Sequence, residues 1–150
     1  MSIRVQNDDF NVALEIATMR EGNRSIGAIA SFIGLMRDFN DGESILSMTL
    51  EHYSGMTGKA LEKIVNDAMN RWEIIDVVVI HRVGRFAPGD QIVLVIVASA
   101  HRAAAFAACE FIMDFLKTLA PLWKKETTLE GERWVDARAS DDEAISRWDS

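Results

Sequence analysis

The sequence predicts an α+β fold in a single domain, with a mixed or antiparallel sheet and two long helices. Strand and helix patterns are mixed along the chain without strict alternation, which disfavours a doubly wound parallel sheet. Two continuous apolar runs, at 77–80 and 92–98, predict strands covered on both faces. At 150 residues, with 49% hydrophobic and 26% charged side chains, the chain is long enough to bury such a core.

The first half of the chain predicts strands with one helix among them. Alternating apolar and polar residues mark its two longer strands as half-buried, and Asn40-Asp41-Gly42 between them is a turn signal. The helix has Asp8 or Asp9 placed to cap it. The predicted elements are a short strand at 3–6, a helix at 10–20, and strands at 25–36 and 46–52.

The second half predicts two long helices around the two buried strands. Apolar residues at three- and four-residue steps mark the first helix, a Pro88-Gly89 turn joins the strands, and Pro121 stops the second helix. Residues 1–140 form the domain, and the acidic residues 141–150 are expected to be a mobile or partner-ordered tail. The predicted elements are a helix at 56–72, strands at 74–83 and 92–99, a helix at 101–119, and short extended pieces at 123–129 and 134–135.

Charge and cysteine content narrow the class of function. A net charge of -7 disfavours nucleic acid or an anionic membrane as partner, because phosphate neutralisation needs a basic face. The first ten residues lack the apolar run of a signal peptide, and the longest apolar run falls well short of the about 20 residues that span a bilayer. The single cysteine, Cys109, fits a reducing compartment, so a cytoplasmic protein is expected.

Several chemistries find no support in the sequence. The three histidines, His52, His81 and His101, lack the close spacing of a metal site. Cys109 falls on the apolar spacing of the second long helix, which predicts a small buried hydrophobe rather than a nucleophile. Neither a glycine-rich phosphate loop nor a nucleophile elbow is present. We therefore expect neither a metal nor a cofactor.

The basic residues are the remaining candidates for chemistry. His101-Arg102 stands where a buried strand gives way to a helix, a position that favours an anion. Lys117 stands near the far end of that helix, Lys124-Lys125 follows it, and Arg37 opens a loop. Each also has an ordinary interpretation as a capping residue, a charge complementing the helix dipole, or a solvated surface charge.

Helix length constrains any site that these residues share. His101 and Lys117 are sixteen residues apart, so about 24 Å separates them on one unbroken helix. They belong either to different sites or to one site between two chains. We favour the second interpretation as a hypothesis, because a symmetric dimer brings distinct surfaces of one sequence together.

A series of short motifs carries a family resemblance. The series resembles the large, catalytic subunit of molybdopterin synthase and covers roughly residues 25–138. The motifs, in order, are Gly34-Leu35-Met36-Arg37, Leu50-Glu51-His52-Tyr53 with Met56, His81-Arg82-Val83-Gly84, His101-Arg102 with Phe106, Lys117, and Pro121-Leu122-Trp123-Lys124-Lys125-Glu126.

The resemblance implies a specific activity and specific partners. It implies an α/β-hammerhead-like fold and a sulfurtransferase that converts cyclic pyranopterin monophosphate to molybdopterin by installing two sulfurs as a dithiolene. The sulfur would arrive as a thiocarboxylate on the C-terminal Gly-Gly of a small ubiquitin-like subunit. Two large subunits would form a central homodimer with a small subunit at each end.

The resemblance also assigns roles to individual residues. Lys117 and Lys124 are the implied catalytic pair, because lysine can stabilise a thiocarboxylate or transfer protons. Arg37 and Arg102 are the phosphate-binding candidates, because arginine grips phosphate oxygens through two parallel hydrogen bonds. The remaining substrate-binding candidates are Leu35, Met36, His101, Lys125, Glu126 and Arg138.

Two other interpretations stay open at the level of sequence. One is a non-catalytic dimeric α+β domain whose basic residues recognise an acidic protein partner. The other is a different enzyme on the same phosphate pocket, such as a small phosphotransferase. The missing glycine-rich loop and metal-binding set count against the phosphotransferase.

Overall fold

The computed structural model describes residues 1–40, 42–52, 55–120, 122–135 and 139–149, and for 139–142 the backbone alone. Their order along the chain confirms the α+β fold. The elements are β1 (Ser2–Gln6), α1 (Val12–Arg20), β2 (Ala28–Leu35), β3 (Phe39–Asn40), β4 (Glu43–His52), α2 (Met56–Arg71), β5 (Asp76–Arg82), β6 (Gly84–Phe86), β7 (Gln91–Ser99), α3 (Arg102–Leu119), β8 (Leu122–Thr128), β9 (Gly131–Val135) and α4 (Ala139–Ser146).

The first sheet is mixed, as the sequence predicts. Its strand order is β1-β5-β7-β2. The β1–β5 pair is parallel, whereas β7 is antiparallel to both of its neighbours. The two apolar runs therefore become the central strands β5 and β7.

Both faces of β5 and β7 are covered, because successive side chains of a strand point to opposite sides. Val77 and Val79 of β5 pack into the cluster formed with α2 and α3, whereas Val78 and Ile80 pack against α1. Residues 93–98 of β7 divide between the same two clusters. The two continuous apolar runs are therefore strands covered on both faces, as the sequence predicts.

The helices begin close to their predicted positions, although one cap differs. Asn11, rather than Asp8 or Asp9, is the N-cap of α1, and its side chain accepts a hydrogen bond from the backbone N–H of Leu14. Asp9 instead accepts a hydrogen bond from the backbone N–H of Phe10. The two long helices α2 and α3 have 16 and 18 residues, and no helix in the described part of the chain is long and apolar enough to cross a membrane.

A second sheet stands beside the first and has the strand order β3-β4-β8-β9, with β6 also paired to β4. All of its pairs are antiparallel. Its inner face carries a third apolar cluster, which includes Met48, Leu50 and Phe86. Strands β3 and β6 are two and three residues long. Neither is predicted from the sequence, because so short a strand has no hydrophobic periodicity.

The C-terminal residues include α4 and a docked tryptophan, where the sequence predicts a mobile or partner-ordered tail. The Trp148 ring makes edge-to-face contacts with Trp72 and Phe111, at centroid distances of 5.6 and 5.4 Å. Its indole N–H donates to Asp114 Oδ2 over 2.8 Å. Aromatic burial and one hydrogen bond thus hold the tail against α2 and α3, although its composition is acidic.

Candidate active site

A cavity of about 450 Å³ lies between the end of β2, the C-terminal end of α3 and the inner face of β4 and β8. Charged, polar and apolar side chains all line it. The charged and polar side chains lining it include Arg37, Asn40, His81, Lys117, Lys124 and Glu126, and the apolar ones include Leu35, Met36, Ile45, Met48, Leu50 and Ile92.

Arg37 reaches the cavity because β2 ends there. The β2–β7 register shifts between Gly34 and Leu35, which marks a bulge just before the arginine. Gly34 is needed for close packing at this point, because a Cβ on it would lie 2.6 Å from the Val93 side chain. Beyond this point Met36 pairs with the turn before β7, donating its N–H to the Asp90 carbonyl and accepting from the Gly89 N–H, and β2 ends before Arg37. Met36 is buried and Arg37 is exposed.

The two lysines come from different elements. Lys117 lies in the last turn of α3, where a positive charge complements the helix dipole. Lys124 lies on β8, and its side chain shares the inner face with Glu126 because the two are two positions apart along the strand. Arg37, Lys117 and Lys124 thus line one cavity in a protein whose net charge is -7.

Glu126 is a buried carboxylate in the cavity lining. Its Oε2 accepts a hydrogen bond of 2.8 Å from Asn40 Nδ2, and Lys124 Nζ lies 3.6 Å from the same oxygen. Its Oε1 accepts from Arg133 Nε and Nη2 at 3.2 and 3.1 Å. A charge that is only 2% exposed is expected to need such partners.

His81 lies in the cavity wall as a neutral side chain. Its Nδ1 lies 2.9 Å from the backbone carbonyl oxygen of Arg82, and a carbonyl can only accept, so Nδ1 carries the proton. Burial, with smaller effects of nearby Lys117 and His52, lowers the pKa of His81 to about 4. The imidazole is therefore uncharged at neutral pH.

His101 and Arg102 lie away from this cavity in the same chain. His101 is the N-cap of α3 without a side-chain capping bond, and both residues are exposed. Helix α3 is continuous from Arg102 to Leu119, so the separation of about 24 Å from Lys117 holds.

Lys125 lies on the opposite face of β8 from Lys124, as strand alternation requires. Its Nζ lies 3.5 Å from Glu132 Oε2 and 5.6 Å from the centroid of the Trp134 ring. Lys125 does not line the cavity of its own chain. Arg138 falls outside the described residues.

Three polar residues of this region are not predicted as site residues from the sequence: Asn40, His81 and Arg133. Asn40 falls in the predicted Asn40-Asp41-Gly42 turn. His81 is one of the three histidines without metal-site spacing and the first residue of the His81-Arg82-Val83-Gly84 motif, with no role predicted for it. Arg133 carried no motif. One signal was available for His81, because a histidine at the end of a fully buried strand must find a hydrogen-bond partner inside the protein.

Cys109 has the burial that its helical spacing predicts. Cys109 is buried on α3, and burial raises the pKa of its thiol to about 11, which leaves it protonated and unreactive. Within the described ranges, no group of three His, Cys, Asp or Glu side chains is arranged to hold a metal ion.

Fold and cavity together define a class of protein: an α+β domain with a cavity that several cationic side chains line. Residues 5–119 match the family model described as MoaE protein. The chain belongs to the MoaE family, the catalytic subunits of molybdopterin synthase, an enzyme of molybdenum cofactor biosynthesis.

Individual relatives agree with this assignment. The molybdopterin synthase catalytic subunit of Ralstonia nicotianae is 62% identical over 147 residues, covering 98% of this chain and 84% of the relative. The solved MoaE protein of Burkholderia ambifaria is 56% identical, with a TM-score of 0.85 over 99% of this chain and 98% of that one. A chain from a complex of subunits 1 and 2 of the molybdopterin-converting factor of Helicobacter pylori matches at 17% identity and a TM-score of 0.73, covering 91% of each chain, and shows the fold alone.

Proposed function

We propose that this chain is a sulfurtransferase that converts cyclic pyranopterin monophosphate to molybdopterin, taking two sulfurs from the C-terminal thiocarboxylate of a small ubiquitin-like subunit. The observation that carries the proposal is the convergence of Arg37, Lys117 and Lys124 on one cavity. Substrate and sulfur donor are both anions, so bringing them together requires positive charge shielded from water. The proposal includes a cytoplasmic location, as the single cysteine predicts.

The cavity divides naturally between the two parts of the substrate. We assign the phosphate to Arg37, whose planar guanidinium can form two parallel hydrogen bonds to phosphate oxygens. The apolar wall, which includes Leu35 and Met36, offers a surface for the flat ring system of the pterin. Leu35 is about half exposed and Met36 is buried, so the two would contact the ring from the rim and from the wall.

Lys117 and Lys124 are assigned to the sulfur-transfer step. Net transfer of one sulfur replaces a carbon–oxygen bond of the substrate with a carbon–sulfur bond, and the displaced oxygen leaves as water or stays on the phosphate. Water cleaves the acyl–sulfur bond, which leaves the small subunit with a carboxylate. Negative charge develops on the acyl oxygen as water adds, and an ammonium group placed beside it stabilises that charge. The two lysines reach the cavity from α3 and β8, so they can act on different atoms of the reacting group.

A second copy of the chain is part of the proposal. His101 and Arg102 are about 24 Å from Lys117 in their own chain, so they can contribute only to the cavity of a partner protomer. In a central homodimer, each protomer would supply Arg37, Lys117 and Lys124 to one cavity and His101 and Arg102 to the other. Arg102 would then be the second phosphate-binding arginine.

The remaining assignments follow from the side-chain positions. Lys125 lies on the outer face of its strand, away from the cavity of its own chain. It stays a substrate-binding prediction only if it contributes to a cavity formed with another chain. Arg138 stays a prediction outside the described residues. Glu126 has protein partners on both oxygens, so we assign it to holding Lys124 rather than to contacting the ligand.

A conversion assay tests the proposal directly. The purified chain is mixed with cyclic pyranopterin monophosphate and a thiocarboxylated small subunit, and dithiolene product is measured for wild type, Lys117→Ala and the control Lys59→Ala. Lys59 is an exposed lysine of α2, far from the cavity lining, so its variant is expected to match wild type. Product from wild type that is lost with Lys117→Ala, while binding of the small subunit is retained, supports the proposal. A folded wild-type complex that makes no product would leave the non-catalytic binding domain as the better account.

A further inference from the structure

The Glu126 carboxylate accepts hydrogen bonds from protein donors on both of its oxygens. Two donors of Arg133 reach Oε1 at 3.1 and 3.2 Å, and Asn40 Nδ2 reaches Oε2 at 2.8 Å. The Lys124 ammonium lies 3.6 Å from Oε2. A carboxylate accepts about four hydrogen bonds, so little capacity remains for a ligand.

The distance of 3.6 Å between Lys124 Nζ and Glu126 Oε2 is itself informative. A charge-assisted N–H···O bond has a length of about 2.7–2.9 Å, so the two groups attract each other without forming a tight hydrogen bond. The ammonium is therefore oriented by Glu126, while its protons stay available on the cavity side. Lys124 can then offer hydrogen bonds to an anion in the cavity.

Arg133 controls this arrangement from outside the cavity lining. Its guanidinium also contacts Glu43 Oε2 at 3.1 Å and the backbone oxygen of Asn40 at 3.4 Å, so it is fixed against β3 and β4 as well as β8. Without its charge, the buried Glu126 carboxylate would keep Lys124 as its only cationic partner among these residues. The lysine would then be drawn onto Glu126 and away from the ligand.

We propose that Arg133 is a positioning residue for Lys124 and acts through Glu126. By forming two hydrogen bonds to Oε1, it satisfies the carboxylate and keeps the Lys124 ammonium in the cavity. Asn40 does the same for Oε2. This inference rests on the proposed function for its kinetic consequences, but the position of Lys124 can be measured without turnover.

The variants separate a positioning role from a structural one. Arg133→Gln removes the charge, Arg133→Lys keeps a charge without the two-pronged geometry, and Glu132→Gln is the matched control. Glu132 is the preceding residue of β9, lies on the outer face and pairs with Lys125 instead. Each Arg133 variant is made in wild type and in a Lys124→Ala background, since residues that act through one another are non-additive.

The kinetic result expected is a fall in kcat for Arg133→Gln on the order of tenfold, with KM for the pterin substrate within about twofold, and partial recovery with Arg133→Lys. In the Lys124→Ala background, Arg133→Gln is expected to change kcat by less than about twofold. An equal loss in both backgrounds, or no loss in wild type, would overturn the inference.

A crystal structure of Arg133→Gln gives the readout that is independent of activity. We expect the Lys124 Nζ to Glu126 Oε2 distance to shorten from 3.6 Å to hydrogen-bond length. If Arg133→Gln fails to fold, a double variant with Arg133→Gln and Glu126→Gln also removes the buried negative charge. In that double variant we expect Lys124 Nζ to move away from the side chain at position 126. An unchanged Lys124 position in the folded variant would refute the inference. If wild type makes no dithiolene product, the proposed function fails, whereas this structural comparison still decides the inference.

Discussion

His101 and Lys117 stand at opposite ends of the same uninterrupted helix, α3, about 24 Å apart. Lys117 lines the cavity of its own chain, whereas His101 is exposed at the helix start beside Arg102. A single ligand of pterin size cannot contact both ends within one protomer. If both ends serve one reaction, each active site must combine residues of two protomers.

Mixing two inactive variants tests this arrangement. We expect Arg102→Ala and Lys117→Ala to be inactive alone, because each removes a charge from every cavity. In a mixed dimer one cavity combines both substitutions and the other has neither. Random exchange at equal concentration makes half of the dimers mixed, so about a quarter of the wild-type activity is expected. The measurement is dithiolene formation after the two purified variants have exchanged subunits at equal concentration.

Each variant exchanged with itself is the control for this experiment, because it passes through the same exchange without generating an intact cavity. A mixture no more active than the two variants measured separately would place both ends of α3 in different sites, or in none. Partial recovery would also exclude a monomeric active site.

Periodic elements of the fold were predictable from the sequence. Apolar runs in β5 and β7 and apolar faces on α2 and α3 extend over several repeats, so their type and approximate bounds follow from the pattern. Helix α4 was not predictable in the same way. Its attachment depends on Trp148 meeting Trp72 and Asp114, residues that are distant in sequence.

The candidate site also contains residues that are predictable from the sequence and residues whose place depends on tertiary contacts. Arg37, Lys117 and Lys124 could be named from motifs, and alternation along β8 already implies that Lys125 points away from Lys124. The contacts of Arg133 with Glu43 and Glu126 join three strands of the second sheet, and no sequence pattern encodes such a contact. His81 and Asn40 are polar residues buried by tertiary packing, so their place in the cavity required the structure.

Replacing Trp148 by alanine tests how firmly the C-terminal segment is attached. The substitution removes two edge-to-face ring contacts and the hydrogen bond to Asp114. We expect the free energy of unfolding to fall by about 2–4 kcal/mol, since truncating a well-packed aromatic side chain costs that much. Denaturant unfolding measures the change, and hydrogen exchange should show α4 losing protection first.

Leu129→Ala is the matched truncation for Trp148→Ala. Leu129 is 83% exposed, so its loss should alter stability by no more than about 0.5 kcal/mol. If the two variants have the same stability, Trp148 does not hold the segment in solution.

Gly27 and Gly58 provide a pair of substitutions with opposite expected signs. A Cβ at Gly27 would lie 2.1 Å from the backbone oxygen of Ala100, which cannot move aside without shifting the start of α3. We expect Gly27→Ala to cost on the order of 2–4 kcal/mol of stability. At Gly58, inside α2, nothing lies within 4 Å of the new Cβ, so Gly58→Ala should stabilise by about 0.5–1 kcal/mol.

Thermal denaturation of both glycine variants measures these effects. Gly27→Ala should also lower catalytic turnover, because residues 101 and 102 follow Ala100 directly. Equal melting temperatures for Gly27→Ala and wild type would mean that the contact with Ala100 relaxes at no cost, contrary to the close approach seen here.

The buried histidine gives a pH dependence of stability with a defined sign. Burial lowers the pKa of His81 to about 4, below the ordinary value of 6.5 expected in the unfolded chain. Above pH 6.5 neither state binds the proton, so the contribution of His81 to stability is fully present. As pH falls from 6.5 through 4, only the unfolded state gains the proton, and the free energy of unfolding should drop by about 3 kcal/mol.

Urea unfolding of wild type and His81→Gln at a series of pH values measures this loss. The glutamine variant should lose less stability over that range, because its side chain cannot be protonated. His101→Gln, which replaces an exposed histidine, should follow the wild-type curve, and a His81→Gln curve parallel to wild type would show that another group carries the pH dependence.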